Sequence, residues 1–119
     1  MSKLLIVDDE LDVREFAKNF FRKRGIDVKI ASGGKEALQI IDADKPDLVL
    51  LDIAMEEMSG LEVLRILRQN KNDIKVIMVT GAVEEETVNE ANSWGIRGYI
   101  HKPLVLEELE RVVIEELKK

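Results

Sequence analysis

Acid, hydroxyl and ammonium side chains stand at the ends of short apolar runs in this sequence. Asp8 and Asp9 follow Leu4–Val7, Asp52 follows Leu48–Leu51, Thr80 follows Val76–Val79, and Lys102 follows Gly98–His101. Each has a plain reading alone. Asp8-Asp9-Glu10 suits the start of a helix, where carboxylates meet the positive end of the helix dipole. Asp52 suits a loop or cap, Thr80 a strand end, and Lys102 a solvated charge. Together they form a complementary set. Clustered carboxylates resist joint ionisation unless a cation holds them, and oxygen ligands without His or Cys suit Mg²⁺. A carboxylate can also be the nucleophile that accepts a phosphoryl group. A nearby ammonium then offsets the transferred charge.

The elements that must position these residues are legible from periodicity. Branched apolar runs at Lys3–Val7, Val28–Ala31, Leu48–Leu51, Lys75–Val79 and Gly98–His101 read as strands. Between them lie segments with helical spacing. Val13, Phe16, Ala17, Phe20 and Phe21 share one face before Gly25, and Ala37, Leu38 and Ile41 precede Pro46. Leu61, Leu64 and Leu67 follow Gly60, and Leu106, Leu109, Val112, Val113 and Leu117 close the chain. The segment Glu84–Trp94 has the weakest stripe and is expected to be the least firmly docked helix. Strands alternating with helices predict an α/β fold, a doubly wound five-stranded parallel sheet with helices on both faces. The continuously apolar third and fourth runs fit strands buried on both sides. In such a sheet, ligands bind beyond the carboxyl ends of the strands, where strand order reverses. No linker or repeat interrupts the pattern, so residues 1–119 read as one domain.

Composition narrows the function classes. A net charge of -6 argues against direct nucleic-acid binding, which needs a basic face. The absence of cysteine excludes disulfides and thiolate chemistry. The apolar stretch after Met1-Ser2-Lys3 is short and ends in carboxylates, unlike a signal peptide, and no run reaches membrane-spanning length. A cytoplasmic protein is expected. His101 is the only histidine, so a histidine-based metal site or Ser-His-Asp triad has no partners for it.

The segments Ile6-Val7-Asp8-Asp9-Glu10, Leu50-Leu51-Asp52 with Met58-Ser59-Gly60, Val79-Thr80-Gly81 and Gly98-Tyr99-Ile100-His101-Lys102-Pro103 resemble the signatures of response-regulator receiver domains. The resemblance covers essentially the whole chain. It implies a flavodoxin-like fold with strand order 2-1-3-4-5 and a phosphorylation-dependent switch of a two-component system. By it, Asp52 is the phosphoacceptor, and Asp8, Asp9, Asp52 and the backbone carbonyl of Ala54 hold Mg²⁺. Thr80 and Lys102 meet the phosphoryl group, and Thr80 and Tyr99 form the switch. It implies a cis Lys102–Pro103 peptide and a partner surface on the fourth helix, fifth strand and fifth helix. The implied phosphodonor is a histidine kinase or phosphotransfer protein. The implied target is a downstream protein or an output domain beyond Lys119, with the chain a monomer or a phosphorylation-dependent dimer.

Some positions depart from the family pattern. Glu56 stands four residues after Asp52 where proline is usual, Ser59 where Asp is frequent, and Trp94 and Ile96 flank Gly95 where smaller residues are common. Two rival classes fit less well. A phosphohydrolase of the haloacid-dehalogenase kind carries a second Asp two residues after its nucleophile, and here that residue is Ala54. A flavodoxin-like cofactor binder wants a phosphate loop after the first strand, and Asp8-Asp9-Glu10-Leu11-Asp12 would repel a phosphate.

Overall fold

The computed structural model describes residues 2–81 and 84–119. Strands and helices alternate: β1 Lys3–Val7, α1 Leu11–Arg22, β2 Asp27–Ala31, α2 Gly34–Asp44, β3 Leu48–Asp52, α3 Gly60–Gln69, β4 Lys75–Thr80, α4 Glu85–Trp94, β5 Gly98–His101 and α5 Leu106–Lys118. All strand pairs are parallel, in the order β2-β1-β3-β4-β5. This is the expected doubly wound sheet. The chain steps outward from β1 to β2, then reverses across β1 to lay down β3, β4 and β5. Crossovers of one hand must change face when the direction reverses. Accordingly α1 packs on one face of the sheet, and α2, α3 and α4 on the other.

The period-two pleat divides each central strand between two cores. Leu4 and Ile6, Leu48 and Leu50, and Ile77 and Val79 face α1 and α5, against Ala17, Phe21, Leu109 and Val113. Leu5 and Val7, Val49 and Leu51, and Val76 and Met78 face Ala37, Ile41, Val63, Leu64, Leu67 and Ala91. The sequence stripe on α1 is wider than the buried face. Phe16 is 49% exposed, because the residues that meet the sheet are Ala17 and Phe21, one helical turn apart. Phe16 stacks instead on Phe20, with ring centroids 6.4 Å apart. Leu106 is likewise exposed at the start of α5.

As its weak stripe predicts, α4 buries only one residue fully, Ala91. Polar ties to α3 hold its last turns. The Arg65 guanidinium donates two hydrogen bonds to Glu90 Oε2, at 3.0 and 2.7 Å, and Trp94 Nε1 donates to the same oxygen at 3.2 Å. Arg68 donates to the carbonyls of Trp94 and Gly95 at the end of α4, and to those of Asn72 and Ile74 before β4. Trp94 is therefore half-buried as a structural anchor. No helix among the described residues is long and apolar enough to cross a membrane.

Candidate functional site

Strand order reverses between β1 and β3, and their register sets Val7 opposite Leu51. The next residues, Asp8 and Asp52, therefore emerge side by side at the carboxyl end of the sheet, where both are buried. Asp52 is paired with Val79 on β4, and Thr80 with His101 on β5. Thr80 is buried and sits beside Lys102, whose N–H donates to the Thr80 carbonyl at 2.8 Å. Four strand ends thus deliver the expected residues to one place.

Lys102 is the hub. Its Nζ lies 3.1 Å from Asp52 Oδ2, 3.2 Å from Asp8 Oδ2 and 3.4 Å from Glu10 Oε1. The Lys102–Pro103 peptide that carries it around the corner is cis, as the resemblance implies. Two buried carboxylates share this single ammonium, and the imbalance shows at Asp52. Burial, and then the negative charge of Asp8, raise the Asp52 carboxyl above the ordinary range, while Lys102 and the Ala54 N–H offset part of the rise. For Lys102, burial alone would lower the ammonium, but the Asp52 and Asp8 carboxylates outweigh it and raise it.

The loops around the hub are built to hold it. Asp8 Oδ1 accepts the Glu10 N–H at 2.9 Å, and Asp52 Oδ1 accepts the Ala54 N–H at 3.3 Å. Carboxylate oxygens of Asp8, Asp9 and Glu10 come within 4.8 Å of one another. Gly60 opens α3 directly against β3, its N–H donating to Ile53 O at 2.9 Å. Ser59 caps that helix by accepting the Glu62 N–H at 3.2 Å. Glu56 and Glu57 are exposed beside Asp9, around a polar hollow completed by residues 32–36 and Met58. Tyr99 lies further down β5, paired with Met78 and half-buried, and its hydroxyl donates to Val88 O of α4 at 3.5 Å. His101 is exposed at the strand end.

Two participants escaped sequence reasoning. Glu10 reads as a helix-start carboxylate, yet it reaches Lys102 and the acid cluster. Arg14 carries no motif signal, yet its Nη1 donates to the Asp8 carbonyl at 2.7 Å. An arginine three residues into a helix is ordinary in sequence, and only the fold reveals that it turns back to the preceding strand.

Compared with known protein families, residues 4–114 match the response regulator receiver domain. The chain belongs to this family. Among curated relatives, the receiver is 36% identical to the regulatory protein AtoC of Escherichia coli (strain K12) over 118 residues, 99% of this chain and 26% of that protein. It is 33% identical to the sporulation initiation phosphotransferase F of Bacillus subtilis (strain 168), over 93% of this chain and 90% of that one. It spans 46% of the response regulator MprA of Mycolicibacterium vanbaalenii, at 37% identity. The receiver thus spans well under two thirds of two of these relatives and nearly all of the third. Among solved structures, a CheY-like receiver domain protein from Methanospirillum hungatei superposes with a TM-score of 0.93 at 30% identity, over 99% of this chain and 94% of that one. The response regulator protein TrrA of Thermotoga maritima, in complex with Mg(2+)-BeF, superposes with a TM-score of 0.84 at 34% identity, over 98% and 99%. The receiver fold and its place in two-component signalling are therefore assigned.

Proposed function

We propose that the protein is a phosphorylation-dependent switch in which Asp52 is the phosphoacceptor, working with Mg²⁺. The observation that carries this reading is the buried Asp8–Asp52 pair served by one ammonium, a site short of positive charge. The donors fit the cation: they are all oxygen, carboxylate oxygens of Asp8 and Asp9 come within 4.8 Å of one another, Asp8 and Asp52 reach the same ammonium, and burial leaves Asp52 reluctant to ionise alone. Asp8, Asp9, Asp52 and the Ala54 carbonyl would hold the ion, which when bound supplies charge neutralisation for phosphoryl oxygens. The Mg(2+)-BeF complex of the Thermotoga relative agrees with this assignment.

In the transfer, an Asp52 carboxylate oxygen displaces the imidazole nitrogen of a phosphohistidine at phosphorus. The O–P bond forms, the P–N bond breaks, and the electron pair stays on the ring nitrogen. Lys102 already reaches Asp52 and would pair with a phosphoryl oxygen. Thr80 would turn its hydroxyl onto another, and Tyr99 would follow into the space it leaves. The new partners exist in only one arrangement, so phosphorylation shifts the population toward it. The face formed by α4, β5 and α5 would then change shape for a downstream protein or an output domain. The donor is a histidine kinase or phosphotransfer protein in the cytoplasm. The domain catalyses only its own phosphorylation and dephosphorylation, and acts as a monomer or a phosphorylation-dependent dimer.

The test is incubation with acetyl phosphate and Mg²⁺ followed by intact mass. A single phosphoryl adduct is expected on the native protein and none on Asp52→Asn. An adduct of equal extent on the variant would refute Asp52 as acceptor.

A further inference from the structure

The Asp8–Asp9 turn is held unevenly. Asp8 is fixed three ways: its N–H donates to Ala31 O at 3.1 Å, its Oδ1 accepts the Glu10 N–H, and its carbonyl accepts Arg14. The Asp9 carboxylate is exposed, and no hydrogen bond or ion pair holds it among the described residues. Its position is therefore set by its backbone. The carbonyl of Asp8 belongs to the peptide plane that joins Asp8 to Asp9, and a plane pinned at its oxygen cannot rotate. The pin is a short, charge-assisted bond of 2.7 Å from the half-buried Arg14. Arg14 itself is held, because its backbone N–H donates to Glu10 O at 3.1 Å in the first turn of α1.

We propose that Arg14 is a positioning residue for the cation site, fixing the 8–9 peptide plane so that the exposed Asp9 carboxylate stays within reach of that of Asp8. This rests on the Mg²⁺ reading above. Arg14 touches neither the ion nor the phosphoryl group. Without it, the plane can turn about the Asp8 ψ and Asp9 φ angles, and the Asp9 carboxylate must be ordered anew each time a cation binds. The loss falls on affinity for the cation, and saturating cation should restore the phosphorylation rate.

The same helix supplies a control. Arg22 Nη2 donates to Val28 O at 2.9 Å, an equivalent guanidinium-to-carbonyl tie at the far end of α1. The experiment is a Mg²⁺ titration of ¹⁵N-labelled native protein, Arg14→Met, Arg14→Lys and Arg22→Met, followed by amide shifts. Urea midpoints and fast-timescale order parameters of the Asp9 and Glu10 amides are measured without metal. Arg14→Met is expected to raise the Mg²⁺ dissociation constant roughly tenfold, as loss of a residue supporting a metal ligand does, and to lower the two order parameters. Arg14→Lys, which keeps charge and reach but not the planar fork, should fall between Arg14→Met and the native protein while remaining the safer variant to fold. Arg22→Met should lower the urea midpoint and leave the dissociation constant within about twofold, well short of the 1.4 kcal/mol of a tenfold change. If the native protein binds Mg²⁺ and Arg14→Met and Arg14→Lys bind it equally well, the positioning role is overturned and the site stands. If the native protein shows no Mg²⁺ response, the site and the proposal fall together.

Discussion

Replacing Gly60 with alanine should destabilise the protein, although secondary-structure preference predicts the reverse. Alanine is favoured over glycine in helices by up to about 1 kcal/mol. At Gly60, however, an added Cβ would stand 2.2 Å from the Asp52 carbonyl oxygen, 2.9 Å from the Asp52 carbonyl carbon and 3.0 Å from Ile53 Cα. All three are backbone atoms. Relief requires α3 and β3 to part by nearly an ångström, roughly the gap between that contact and a tolerable one. Neither side yields easily, since Gly60 N–H is bonded to Ile53 O and β3 is paired on both edges. Overpacking costs about 1–3 kcal/mol, and a clash between two backbones belongs at the upper end. After the helix preference is subtracted, about 1–2 kcal/mol of net destabilisation remains. With a urea slope of about 1–3 kcal/mol per molar, the midpoint should fall by about 1 M. Two glycines calibrate the series. At Gly34 the Cβ would meet the side chains of Met58 and Val63 at 2.7 and 2.9 Å, and the methionine can swing away, so the cost should be smaller. At Gly98 nothing lies within 4 Å, and alanine should be neutral or stabilising. A Gly60→Ala midpoint equal to or above that of the native protein would refute the close approach of α3 to the Asp52 backbone.

Burial and Asp8 raise the Asp52 carboxyl, so ionised Asp52 weakens the folded state as pH rises through its folded value. Asp52→Asn, compared with the native protein in metal-free urea melts, should gain stability as pH rises above the ordinary carboxylate range. A gain that shrinks toward neutrality would contradict this. Glu56 adds charge near the approach to the site, so Glu56→Gln should speed modification by acetyl phosphate at low salt, with the advantage fading at high salt. Glu56→Pro should add a salt-independent gain by restricting the loop, and rates within about twofold for all three proteins would remove Glu56 from the chemistry. Glu90 is held below the ordinary glutamate range by hydrogen bonds from Arg65 and Trp94, so its contribution is present above that range and lost as pH falls through the lowered value. Trp94 fluorescence should report that loss in acid, and the transition should be absent in Glu90→Gln.

Much of this fold was legible because its strands are buried on both faces and its helices on one. Each of the five apolar runs became a strand, with β2 beginning one residue earlier, at Asp27, and β3 and β4 each ending one residue later, at Asp52 and Thr80. The order of the strands was not in the spacing and came from resemblance, since periodicity says which face a residue takes but not which neighbour. The residues gathered by Lys102 were readable because each follows an apolar run. Arg14, Arg65 and Arg68 were not, because a long side chain that bonds to distant carbonyls or a single carboxylate imposes no periodicity. Phe16 misled for a related reason: an aromatic at helical spacing predicts burial, but a helix at the flank of a sheet has a narrower buried face than its apolar stripe.

The arginine ties between α3 and α4 make α4 a lever with its pivot at Trp94. Arg65 and Arg68 bind only its last turns, while among the described residues the single side-chain tie in its first half is the Tyr99 hydroxyl at Val88 O. At a rise of about 1.5 Å per residue, the ten-residue helix is about 15 Å long. A rotation of about 5° at the pivot therefore swings the Glu85 end through about 1 Å over that length. Because Ala91, close to the pivot, is the only fully buried side chain of the helix, such a swing sacrifices little apolar contact. Amide exchange should accordingly slow along α4 from Glu85 toward Trp94, the Glu85 end opening first.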